Sequence, residues 1–258
     1  MTFEGRTIAI TGGASGIGFS TAERVIAGGG NVAVIDLNES AARDAAGRLG
    51  ARALGIGADV TDQAAITAAL DATVRRFGAL DGLVASAGIR QSSARIADLS
   101  FEVWERILKV DLGGTFLTCQ AAARIFGDAG RGGSIVNVAS LSGHSPRVGQ
   151  AAYCAAKAGV ISLTKVLSLE LASKNVRVNC VCPGTVITPF NAEALKREGE
   201  QGVQARIEGD TKQYRPGIPL RRLAEACDVA SSIAFLLSPD ARHITGVELF
   251  VDGGESVF

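Results

Sequence analysis

The chain has 258 residues, of which 26 are basic and 26 acidic, with two histidines and five cysteines. A net charge of zero argues against nucleic acid and anionic membrane surfaces as partners, because both are held mainly by basic side chains. The apolar content is high (47% hydrophobic residues, mean hydropathy +0.24), yet no apolar run approaches the roughly 20 residues that span a bilayer, so the surplus has to be buried in the fold.

In chain order, apolar runs of strand length alternate with segments of helical period. A strand at Thr7–Thr11 precedes a helix at Ile17–Ala27, and a strand at Asn31–Asp36 precedes a helix at Ser40–Leu49. Strands follow at Ala53–Ala58 and Gly82–Ala85, separated by a helix at Gln63–Phe77. A long helix is expected at Val103–Phe126, then a strand at Ser134–Ala139, a helix at Tyr153–Ser173 and a strand at Val176–Cys182. A helix at Glu225–Leu237 and a strand at Val247–Val251 close the series. Asp62 and Ser100 occupy N-cap positions, and Gly28, Gly50 and Gly78 stand where helices stop. Strict alternation predicts an α/β doubly wound Rossmann fold of about seven parallel strands with helices on both faces. Without a linker, repeat or low-complexity tract, residues 1–258 read as a single domain. The charged stretch 190–219, framed by Pro189 and Pro216, breaks the rhythm. It follows a strand's carboxyl end and is expected to act as a substrate lid.

Residues 11–18 read Thr-Gly-Gly-Ala-Ser-Gly-Ile-Gly between the first strand and the first helix. Glycines allow a backbone to approach a pyrophosphate, and a helix N-terminus offers free N–H groups and positive partial charge. Gly12, Ser15, Gly16, Ile17 and Gly18 are therefore the expected phosphate-binding segment, with amides and no basic patch holding the phosphates. The second strand ends at Asp36, 18 residues past Gly18, close to the spacing of an acid that bonds a ribose 2′-hydroxyl. A carboxylate there repels a 2′-phosphate, and Leu37 and Asn38 supply no arginine to receive one. NAD is the expected cofactor.

Tyr153 and Lys157 lie four residues apart, on one helix face. A neighbouring ammonium favours a phenolate, which can exchange a proton with an alcohol oxygen. Ser140 ends a strand at the expected ligand edge of the sheet. The loop 12–18, Ser140 placed 13 residues before Tyr153, and Tyr153-x-x-x-Lys157 together resemble the short-chain dehydrogenase/reductase family over nearly the whole chain. That resemblance implies a secondary alcohol–ketone oxidoreductase in which Ser140 bonds the substrate oxygen, Tyr153 is the acid/base and Lys157 also holds the nicotinamide ribose. It further implies cofactor contacts at Asp59-Val60, at Ser86 and in the loop holding Val186 and Thr188. It also implies a homotetramer packed through the strand that ends in Val251-Asp252-Gly253-Gly254. Ser142 is a second serine candidate, against which the spacing argues.

Two positions depart from the family pattern. Ala85-Ser86-Ala87-Gly88 replaces Asn-Asn-Ala-Gly, and Asp111 replaces an asparagine of the proton relay. Asp111 either holds the same water, or pairs with Lys157 and lowers its own pKa, or only satisfies backbone groups in a kinked helix. The segment His144-Ser-Pro-Arg-Val-Gly149 resembles a loop of dihydrodiol dehydrogenases within the family. Arg147 would then pair with a substrate carboxylate, the other readings being an arginine solvated on its loop or bonded to the lid. The substrate implied is an alicyclic hydroxy acid or dihydrodiol. A nucleotide-sensing module that has lost catalysis is the competing function. No Gly-x-Ser-x-Gly elbow supports a serine hydrolase, and two histidines argue against a multi-histidine metal site. Five cysteines without a Cys-x-x-Cys pair, and an N-terminus without a basic-then-apolar leader, lead to the expectation of a reducing cytoplasmic location.

Overall fold

The computed structural model describes residues 1–257; Phe258, the last residue of the expected domain, lies outside the described residues. Strands β1 (Thr7–Thr11), β2 (Asn31–Asp36), β3 (Ala53–Gly57), β4 (Gly82–Ala85), β5 (Gly133–Val138) and β6 (Val176–Pro183) alternate with helices. Two short strands, β7 (Val186–Ile187) and β8 (Ala224–Glu225), precede β9 (Glu248–Val251). All but these two form one seven-stranded parallel sheet in the order β3-β2-β1-β4-β5-β6-β9. The order reverses between β1 and β4, where Thr11 pairs with Ala85, and a crevice opens at the carboxyl ends of these strands.

Both sheet faces are covered, which accounts for the apolar surplus. Ile8, Ile10, Val32, Val34, Val84 and Val136 point to one face, against α1 (Gly16–Ala27) and α8 (Ala226–Leu237). Ala9, Ala33, Ile35, Leu83 and Ile135 point to the other, against Ile66 and Leu70 of α3 (Gln63–Phe77) and Phe126. Helix α2 (Glu39–Leu49) starts one residue earlier than expected because Asn38 Oδ1 accepts the Ala41 N–H at 3.1 Å. The Asp62 and Ser100 caps form as expected, the first taking the N–H groups of Ala64 and Ala65 at 2.8 and 3.1 Å.

The long helix expected at Val103–Phe126 is three pieces. Helix α4 (Phe101–Ile107) widens into a π-helical turn at Leu108–Gly114 before α5 (Thr115–Ala129) resumes. Apolar spacing cannot register one extra residue in a turn, so the sequence reads as uninterrupted. Gly114 is required there: a Cβ would lie 2.5 Å from Val60 Cγ2. The π-turn places Asp111 inside the protein, fully buried.

Helix α6 (Ala151–Glu170) is long and apolar enough to cross a bilayer by length and composition alone; here its buried face packs on β6 and the π-turn. Most of the expected lid is α7 (Pro189–Glu208), which Pro189 starts at a position where no backbone N–H is needed. It is broken at Gly199, whose φ of 63° and ψ of −170° are open to glycine.

Candidate active site

The β1–α1 loop turns through Gly12 (φ 63°) and Gly16 (φ 53°). A Cβ on Gly12 would sit 2.9 Å from the Ala87 backbone, so the two strand ends approach this closely only with glycine. Ser15 makes no side-chain cap bond and the first turn of α1 holds no acid. The helix N-terminus at Ser15, Gly16 and Ile17 thus presents free N–H groups to the cleft. Gly18 does not line that cleft. It is buried with its Cβ position 2.3 Å from the Gly12 oxygen, so it packs the loop against the helix.

Asp36 ends β2 on the same edge. Its Oδ2 accepts the Ala14 N–H at 3.3 Å and its Oδ1 the Asn38 N–H at 3.2 Å, orienting a carboxylate with acceptor capacity left over. Leu37, Asp59, Val60, Ser86, Val186 and Thr188 continue the wall of a cleft of about 630 Å³. These groups fit a dinucleotide: amides for phosphate, a carboxylate for ribose hydroxyls, apolar walls for rings. Arg106 and Lys109 also line it. Thr11 Oγ1 ties the two strand ends together by accepting the N–H groups of Ser86 and Ala87 at 3.2 and 3.4 Å.

Ser140, Tyr153 and Lys157 come together on the wall of this cleft. The Tyr153 N–H is received by Gln91 Oε1 at 3.0 Å, so the buried Gln91 takes the place of the cap that Gln150 does not provide. Lys157 Nζ donates to the Val138 carbonyl at 3.1 Å and lies 5.6 Å from the centre of the Tyr153 ring. Burial pushes the Tyr153 phenol above its ordinary value; the Lys157 ammonium and the Ser140 hydroxyl pull it back, and the Asp111 carboxylate adds to the rise. Favouring of the phenolate by Lys157 is therefore present but outweighed by desolvation.

Asp111 does not line the cleft. Its Oδ1 accepts the Ile89 N–H at 2.8 Å, and its Oδ2 pairs with Lys157 Nζ at 3.5 Å. Pairing was expected to lower its pKa. Burial instead raises it, with Lys157 and the Ile89 N–H only partly compensating. A charge fully removed from water loses more solvation than one neighbour at this distance returns.

A second cavity, of about 400 Å³, opens outward under α7. It shares Ser140, Tyr153, Pro183, Gly184, Phe190 and Asn191 with the cleft, so the serine and tyrosine stand at the junction of the two. Arg147 lines this cavity, but it is committed to Glu255 Oε1 at 2.6 Å, an oxygen it shares with Arg215 at 3.0 Å. Neither the free carboxylate receptor nor the solvated loop arginine describes it. Its partner comes from the C-terminal segment, too distant in sequence for any spacing rule. Arg90, Phe190 and Asn191 in the same wall had no motif to mark them.

A family model described as enoyl-(acyl carrier protein) reductase matches residues 12–256. The chain is 39% identical over 251 residues to 2-(S)-hydroxypropyl-CoM dehydrogenase 3 of Xanthobacter autotrophicus, covering 96% of this chain and 95% of that protein. It is 39% identical over 256 residues to trans-4-hydroxycyclohexanecarboxylate dehydrogenase of Sinomonas cyclohexanicum, covering 96% and 91%. It superimposes on 3-ketoacyl-(acyl-carrier-protein) reductase from Brucella melitensis, solved with NADH, at a TM-score of 0.88 and 34% identity over 98% of this chain and 99% of that one.

Proposed function

The chain belongs to the short-chain dehydrogenase/reductase family, and on that footing we propose that it is an NAD-dependent dehydrogenase interconverting a secondary alcohol and a ketone, with Tyr153 as acid/base. The observation that carries this reading is the position of Ser140 and Tyr153 where the cofactor-sized cleft meets the outer cavity. Bound NAD supplies the hydride acceptor or donor. The Ser140 hydroxyl is placed to hydrogen-bond the alcohol or carbonyl oxygen. The Tyr153 phenol takes the hydroxyl proton in oxidation and returns it in reduction. Lys157, tethered to Val138 and Asp111, favours the phenolate and reaches the ribose side of the cleft. Asp36 selects NAD over NADP by repelling a 2′-phosphate. Residues 190–219 close over the substrate as a lid within one catalytic domain.

An alicyclic hydroxy acid or dihydrodiol is the substrate class this reading favours, supported by the name of the hydroxycyclohexanecarboxylate relative. The exposed Val166 and Leu169 on α6 and the edge strand β9 support self-association as a homotetramer. Five free cysteines, four of them buried, accord with a reducing cytoplasmic setting. A sensor that binds NAD without turnover has no observation in its favour, since the serine, tyrosine and lysine are assembled. The test is NAD reduction across a panel of secondary alcohols. Tyr153→Phe should lose roughly 10²- to 10⁴-fold in kcat while still binding NAD. Turnover that survives this change refutes the mechanism, and NAD binding without turnover by the unmodified protein promotes the sensor.

A further inference from the structure

The outer cavity is positive in a molecule whose charges sum to zero: five arginines line it, against Glu198, Asp210 and Glu255. Three of the five are committed. Arg147 and Arg215 share Glu255, and Arg206 grips Glu198 through two nitrogens at 2.5 and 2.6 Å.

Arg90 is different. It sits half-buried on the loop after β4, donates to Asn191 Oδ1 at 2.7 Å and, among the described residues, has no carboxylate partner. Desolvation holds its guanidinium below the ordinary value, Arg206 and Arg197 press the same way, and Glu198 offsets them in part. The bond to Asn191 fixes the direction of the planar fork and leaves donors unspent. Removing a cation from water without a counter-ion is costly unless an arriving anion completes the site. The same wall carries Tyr153.

Resting on the dehydrogenase reading above, we propose that Arg90 receives a carboxylate of the substrate, which makes the substrate a secondary hydroxy acid and not a neutral alcohol or diol. The exposed Arg197, at the rim on α7, adds attraction without a fixed contact. Arg147, tied to Glu255, shapes the wall.

NAD reduction by cis- and trans-4-hydroxycyclohexanecarboxylate is compared with reduction by the 4-methylcyclohexanols at constant ionic strength. The acids should be favoured by about 10- to 100-fold in kcat/KM, chiefly through KM, as for a hydrogen bond to a charged group. Arg90→Gln should collapse that acid-to-alcohol ratio by a similar factor, and Arg90→Lys should restore part of it. Equal use of both classes by the unmodified protein overturns the proposal, as does an Arg90→Gln variant that lowers both rates and leaves the ratio unchanged. Turnover of neutral alcohols alone removes this proposal and keeps the dehydrogenase reading. Should neither class turn over, calorimetric titration of cyclohexanecarboxylate into the NADH-loaded protein decides: uptake abolished by Arg90→Gln sustains the site, and no uptake overturns it.

Discussion

Asp111 lies between opposing influences, and its removal has a predictable sign. Its Oδ2 has no hydrogen-bond partner among the described residues, although Lys157 Nζ is 3.5 Å away. Because the carboxylate helps raise the Tyr153 phenol, Asp111→Asn takes away an upward push. Alcohol oxidation needs the phenolate, so its rate rises with pH through the phenol's titration. In Asp111→Asn that rising limb should move to lower pH, with activity retained. A pH–rate profile checks this; a loss of about tenfold or more without a shift, equivalent to one pKa unit of lost interaction, sinks it. Tyr153, Lys157 and Ser140 could be marked in the sequence because they match a family motif that lies within one helix and one strand end. The direction of their pKa shifts was not, because desolvation depends on what the whole fold stacks above them.

Among the elements, the glycine loop and its helix were readable because strand, turn and helix are each local patterns. The π-turn was not, since apolar residues recur at nearly the same spacing on either side of it. Nor was the role of Gln91, a loop residue that completes the N-terminus of α6 from 62 positions away. Helix α7 offers a test of the lid. Gly199 has open space around its Cβ position, so Gly199→Ala is penalised only by its backbone conformation, at about 1–3 kcal/mol. The expected outcome is a lower denaturation midpoint or a several-fold higher substrate KM as α7 rearranges, with NAD affinity unchanged. An equal loss of NAD affinity would show that α7 supports the cofactor cleft and is not a separate cover.

For the whole molecule, zero net charge conceals a division of labour. The cleft is lined by Asp36 and Asp59 as well as by Arg106 and Lys109, and the outer cavity concentrates arginine. A ligand bound only by the native state stabilises it by mass action, about 2.7 kcal/mol at 100 times its Kd. For a chain of this size, NAD at that level should raise Tm by roughly 5–10 °C, and equimolar NADP by clearly less, as measured by calorimetry with each nucleotide. Equal shifts would remove Asp36 as the selector. The sequence by itself determined the layered fold and its glycine-rich first turn, because periodicity and turns are properties of neighbouring residues, and it marked Ser140, Tyr153 and Lys157 through their resemblance to the family's motif. Only the tertiary structure decided that Gly18 packs inside, that Arg147 answers to Glu255 and that Arg90 has no ion-paired carboxylate among the described residues. Ion pairing and burial arise between segments far apart in the chain, brought together by the crossing of strands and helices.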